Sequence, residues 1–157
     1  MRAAVALSLV IASTFVAPAM ADDITGHPRI HDADTIFFGT QEVRLDGIDA
    51  PEPRQTCQDA TGKSYPCGQS AIAALVGEIG NASIRCSGTQ HDSHHRLLVT
   101  CFKDSENLNG WLVAHGWAVA FRSLSTGYVS QEDQARAAKL GMWAGTFDQP
   151  REWRKTH

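Results

Sequence analysis

An α+β domain, mainly β, is the fold class this sequence predicts, and three observations carry it. The apolar stretches are short, and several alternate with polar residues, which is strand periodicity. One segment, GQSAIAALVGEIG, places Ile72, Leu75, Val76 and Ile79 at helical spacing and closes on Gly80. Clusters of Gly, Pro and Asp punctuate the chain, with no internal repeat, long linker or low-complexity tract.

The first 21 residues stand apart. MRAAVALSLVIASTFVAPAMA has an early Arg2, an apolar run from Ala3 to Val16, and the small-residue pattern Ala19-Met20-Ala21. It reads as a secretory signal over residues 1–21, too short for a comfortable membrane span. The folded domain is then expected over 22–157, a monomer of 136 residues with room for one core and no stable membrane association. The product would be exported, to the periplasm or outside the cell.

From there the elements follow in order. PRIHDADTIFF (28–38) gives two short β segments around His31-Asp32-Ala33-Asp34. Gly39-Thr40 is a turn, and QEVRLDGI alternates as a strand. Ile48 to Pro66 reads as a loop rich in Pro, Asp and Gln, followed by the helix at 68–80. ASIRCSG and RLLVTCF form a hairpin joined by Thr89 to His95. LNGWLVAHG is a short helix ended by Gly116, WAVAF a strand, and SQEDQARAAKLGMW a helix with acids in its first turn. Five short strands interrupted by a helix, with about three helices in all, suit a five-stranded Greek-key barrel of the oligonucleotide/oligosaccharide-binding type.

Charge limits the partners. Arg2 is the one cation of the first segment, so residues 22–157 carry 13 Lys+Arg against 17 Asp+Glu, a net −4 with histidine neutral. A chain of this sign is no nucleic-acid-coating protein; a polyanion must be handled locally, by a few arginines or a bound cation. Cys57, Cys67, Cys86 and Cys101 contain no CxxC pair, which counts against a four-cysteine zinc site. An even count in an exported chain favours two disulfides. Of the three possible pairings, 57–67 and 86–101 is preferred, because the first pair flanks a Gly- and Pro-containing loop and the second ends two strands of one hairpin.

The stretch RLDGIDAPEP (44–53) gathers Arg44, Asp46, Asp49 and Glu52 at the exit of a strand that Pro51 ends. With DADT (32–35) and DSHHR (92–96) it resembles the staphylococcal-nuclease-like (thermonuclease) family, whose pattern is roughly D-G-D-T, R-L-x-G-I-D-A-P-E and D-x-Y-G-R. LNGWLVAHGWA and ARAAKLGMW extend the resemblance, in order, over about 29–143.

The resemblance implies a calcium-dependent phosphodiesterase acting on DNA and RNA with little sequence preference and leaving 3′-phosphates. By motif position, Asp34, Asp49 and the carbonyl of Ala50 would hold Ca2+. Glu52 would be the general base or position the attacking water, and Arg44 and Arg96 would bind phosphate. Asp32 would stand behind these at most, and Asp46 would be structural.

Elementary chemistry makes the same demands. Calcium takes carboxylates, carbonyls and waters, and it neutralises charge on phosphate oxygens. Arginine stays protonated and donates paired hydrogen bonds to phosphate. A nearby carboxylate can take the proton of water.

Three departures from the pattern are expected to lower activity or to abolish it. Ala33 replaces a glycine and would be strained if the site needs φ > 0. His94-His95 replaces Tyr-Gly, so Arg96 is expected to be held differently or to be mobile. Phe121 stands where a tyrosine is common. The alternative function is a non-catalytic barrel of the same fold that binds nucleic acid, glycan or a protein partner. A zinc or copper site built from His91, His94 and His95 is a weaker third reading, since adjacent turn histidines seldom share one ligand geometry.

Overall fold

The computed structural model describes residues 22–123 and 127–157. The proposed signal segment, 1–21, lies outside them. One mainly antiparallel sheet organises the chain. Its strands are β1 (Asp22–Gly26), β2 (Arg29–Ile30), β3 (Thr35–Phe38), β4 (Gln41–Leu45) and, later, the long hairpin described below. Two more short ladders follow: β5 (Ile48–Asp49), and β6 (Cys57–Gln58) with β7 (Ser64–Tyr65). After α1 (Cys67–Ile79) come β8 (Ile84–His91), β9 (Leu97–Lys103) and β10 (Glu106–Asn107). The chain ends with α2 (Leu108–Ala114), β11 (Val119–Ala120), α3 (Val129–Ala137), a 3-10 turn at Gly141–Ala144 and α4 (Pro150–Trp153).

The sheet order is β1-β8-β9-β4-β3-β2, with β10 added to β9 and β5 paired to β11. Among the described residues this ladder runs between two edge strands and does not close on itself. The fold is nonetheless the expected α+β, mainly β class, with the interrupting helix and the strand order of an oligonucleotide/oligosaccharide-binding-type domain. One join in it is parallel: β4 lies beside β9, with Arg44 opposite Leu98. That join brings the start of β9, and so Arg96, to the same end of the sheet as Arg44.

The core lies between the sheet and the helices. Ile36, Val43 and Leu45 meet Leu97 and Val99 from the sheet, with Leu75, Leu108 and Leu112 from α1 and α2. Alternation does this work in β9, where Leu97, Val99 and Cys101 are buried and their neighbours are not. Both disulfides form as preferred: Cys57–Cys67, with Cα atoms 5.6 Å apart, and Cys86–Cys101, at 4.0 Å. The second joins residues directly opposite in the β8–β9 register.

Some elements differ from expectation. β1 was not foreseen, because DDITG offers one apolar residue, Ile24; pairing with β8 from Asp22↔Gly88 to Gly26↔Ile84 supplies what local pattern lacks. The 48–66 loop contains β5, β6 and β7. In α1 the buried stripe is Cys67, Gly68, Ala71, Leu75 and Ile79, and Val76 is 48% exposed. The helix is rotated because Cys67 is bonded to Cys57 and Gly68 lies against the backbone of Glu52. The WAVAF strand shrinks to Val119–Ala120, and the helix expected from 130 starts at Val129 and stops at Ala137, where Lys139 turns to positive φ. No described helix is long and apolar enough to cross a membrane.

Candidate active site

Local register assembles the first part of the site. Thr35 pairs with Arg44 across β3–β4, so Asp34, one residue earlier, lies beside the arginine head. Gly47, at φ 74°, turns the chain from β4 into β5, a conformation suited to glycine. The turn returns Asp49 to the same guanidinium. Arg44 Nη1 donates to Asp34 Oδ1 at 2.6 Å and Nη2 to Asp49 Oδ1 at 3.2 Å. Asp34 Oδ2 accepts the Ala50 amide at 2.7 Å, and Thr35 Oγ1 donates to Oδ1 at 3.2 Å. Both carboxylates are buried. Buried Asn109 braces the turn from α2 by donating to the carbonyls of Asp46 and Val99, 3.0 Å each.

Glu52 comes next, partly exposed, on a segment that leaves the sheet. Its placement rests on residues that no motif marked. Buried Gln55 accepts the Glu52 amide through Oε1 at 3.2 Å and donates through Nε2 to the Asp148 carbonyl at 2.7 Å. It therefore ties the Glu52 loop to the C-terminal segment. Gly68 is needed for close approach: a Cβ there would stand 1.8 Å from the Glu52 carbonyl oxygen. The Cys57–Cys67 bond fixes the same loop to α1.

Arg154, just after α4, completes the group. Its Nη1 donates to Glu52 Oε1 at 2.8 Å, and its Nη2 reaches Asp49 Oδ1 at 2.9 Å and Oδ2 at 3.1 Å. Sequence reasoning did not mark this residue. It lies beyond the family-like stretch, and nothing in REWRKTH says where a guanidinium will fold.

Arg96 opens into the same cleft, of about 660 Å³, whose lining includes Arg44, Glu52, Phe121 and Arg154. Among the described residues its side chain bonds Asp92 and Glu42, not the three site acids. Asp92 Oδ2 accepts its Nε at 2.8 Å and Nη2 at 2.7 Å, and Glu42 takes Nη1 at 3.3 Å. Arg96 is thus held by Asp92 of its own hairpin and by Glu42 of β4, with its head anchored through three nitrogens. Asp92 also accepts the amides of His94 and Arg96, 2.9 Å each. Burial works against its charge, but these bonds and the Arg96 guanidinium hold its pKa below the ordinary value.

His95 sits at φ 63°, at the position of the family glycine, so that turn does ask for a left-handed residue. Ala33 does not: the positive-φ non-glycine residues among those described are His95, Asp104 and Lys139, and the expected strain at Ala33 is absent. Asp32 serves the turn by accepting the Asp34 amide at 3.0 Å. The three histidines are exposed, and among the described residues no three His, Cys, Asp or Glu side chains form a ready metal cage.

The electrostatics favour an added cation. Burial pushes the Asp34 carboxyl from 3.8 up to about 6; Arg44 opposes this and Asp32 adds to it. Burial likewise raises Asp49, with Arg154 opposing and the Asp34 charge assisting. Three acids, Asp34, Asp49 and Glu52, face two guanidinium groups, Arg44 and Arg154. The surplus is negative and all the donors are hard oxygens, which fits a cation such as calcium completed by water.

A small mainly-β domain with paired arginines and acids in one cleft is the class defined so far, and comparison makes it specific. The staphylococcal nuclease homologue family matches residues 42–145, and the chain belongs to that family. It is 33% identical over 126 residues to the succinoglycan biosynthesis protein ExoI of Rhizobium meliloti, covering 78% of this chain and 66% of that protein. An uncharacterized endonuclease of Haemophilus influenzae is 28% identical over 135 residues, covering 81% of this chain and 70% of that one. A probable staphylococcal-like nuclease of Oryza sativa subsp. japonica is 26% identical over 125 residues, covering 78% of this chain and 31% of that one.

Proposed function

We propose that this protein is an exported, monomeric, calcium-dependent nuclease that hydrolyses DNA and RNA with little sequence preference and leaves 3′-phosphates. The observation that carries the proposal is the Arg44 guanidinium, bonded to both buried aspartates at the head of a cleft shared with Glu52 and Arg96. Family membership and the endonuclease relative support the reaction class.

In this reading Asp34, Asp49 and the Ala50 carbonyl hold the calcium. Bound there, it would offset negative charge building on the phosphate oxygens. Arg44 and Arg96 would grip those oxygens, where a planar fork of donors matches the phosphate. Glu52, on the cleft wall, would take a proton from the attacking water through its carboxylate. Phe121 would offer the bound nucleotide an apolar face without a hydroxyl. Residues 1–21 would direct export and be removed.

The test is digestion of single-stranded DNA and of RNA by the purified domain in calcium, then in chelator, with end-group analysis. Calcium-dependent cleavage leaving 3′-phosphate ends supports the proposal; intact substrate in millimolar calcium overturns it.

A further inference from the structure

Arg154 stands out because it occupies Asp49, which the proposed cation would need, together with Glu52, the proposed base. Three recorded bonds commit its two terminal nitrogens to Asp49 and Glu52. Its side chain is 36% exposed on the cleft wall, whereas that of Asp49 is 3% exposed. The arginine can therefore swing towards solvent, while the carboxylate stays fixed by β5.

Its backbone is anchored independently of that guanidinium. Gln55 holds the Asp148 carbonyl, Thr146 exchanges amide–carbonyl bonds with Gln58 at 2.9 and 3.1 Å, and Pro150 is buried.

We propose that Arg154 is the resident counter-ion of the acidic site and sets its affinity for a divalent cation: the cation and the guanidinium compete for Asp49. The inference rests on the calcium reading above and adds a residue to it. The physics is an exchange. Removing one positive group from a cluster of buried carboxylates raises the local negative charge, and an incoming cation then displaces only water. Arg154 also engages Glu52 Oε1 at 2.8 Å, so release of the arginine would free both the metal ligand and the carboxylate of the proposed base.

Calorimetric titration of calcium into wild type, Arg154→Gln and Arg154→Lys tests this without reference to activity. The pair is partly exposed, so the expected effect is modest: about 2- to 5-fold tighter calcium binding in Arg154→Gln, with Arg154→Lys between it and wild type. Melting curves give a second readout. Calcium should raise the Tm of Arg154→Gln more than that of wild type, since the variant lacks its internal cation. Equal or weaker calcium binding in Arg154→Gln overturns the proposal and makes Arg154 a support for the ligands. Absence of calcium binding in all three proteins overturns it too, together with the calcium reading. Calcium binding without hydrolysis would remove only the nuclease reading.

Discussion

Asp34→Asn probes the electrostatic strain of the site before any cation is added. Asp34 is almost completely buried, and three donors point at its carboxylate: Arg44, Thr35 and the Ala50 amide. Even so, burial outweighs the arginine and pushes its pKa from 3.8 to about 6. A raised acid binds its proton more tightly in the native state than in the unfolded chain. As pH rises through 3.8 the unfolded chain ionises first, and stability falls until the native group ionises near 6. The gap corresponds to about 3 kcal/mol at 1.36 kcal/mol per pH unit.

Asparagine cannot titrate, and its amide must set one donor against another donor, a fixed cost of about 1–3 kcal/mol. That cost is independent of pH and cancels in the comparison. The Asp34 charge also helps to raise Asp49, so its removal adds a change of the same sign. The assay is urea unfolding of both proteins in chelator, with disulfides intact, from pH 3.5 to 7. Wild-type stability minus variant stability should fall by about 3 kcal/mol over that range. A flat difference would show that Arg44 offsets the burial and a rising one that it over-compensates; in either case the electrostatic case for an added cation would be lost.

Other substitutions address the scaffold. Gly68→Ala forces a Cβ to within 1.8 Å of the Glu52 carbonyl unless the loop moves; a shift near 1 Å at a reacting group can cost on the order of 100-fold in turnover, read by DNA-hydrolysis kinetics. His95→Gly should raise stability by about 0.5–1 kcal/mol in urea unfolding, because the residue sits at φ 63°. Replacing Cys57 and Cys67 by serine should cost about 3 kcal/mol and also lower turnover, since that bond fixes the loop carrying Glu52 and Gln55. Replacing Cys86 and Cys101 should cost a similar amount of stability while leaving metal affinity by calorimetry nearly unchanged, because that bond joins β8 to β9 and does not hold the loop that carries Glu52 and Gln55.

Much of this was legible before the structure, for physical reasons that differ by element. The fold class followed from strand alternation in segments such as RLLVTCF, because half-buried strands must alternate. The cysteine pairing was readable because both bridges are short-range in sequence. The RLDGIDAPE stretch marked Arg44, Asp49 and Glu52 as neighbours, since one tight turn joins them, and Asp34 reached them through the adjacent β3.

What stayed hidden depends on long-range contact. Arg154 lies 105 residues from Asp49, and Gln55 lies 93 from Asp148. No period or local motif encodes such pairs. β1 was hidden likewise, because its strand character comes from β8 and not from its own residues. The rotation of α1, set by a disulfide and a glycine contact, exposed Val76 against its apolar spacing.

The proposed role of Glu52 is to activate water beside the Asp34–Arg44–Asp49 cluster. It is tested most directly by single-stranded DNA turnover in millimolar calcium for wild type and Glu52→Gln, with calorimetric binding of a 3′,5′-bisphosphorylated nucleotide on the same preparations. Turnover should fall by about 10²–10⁴-fold in Glu52→Gln while nucleotide affinity survives. Equal turnover in the two proteins would remove Glu52 from the reaction, and a wild type that binds the nucleotide and cleaves nothing would leave a binding domain of the same fold.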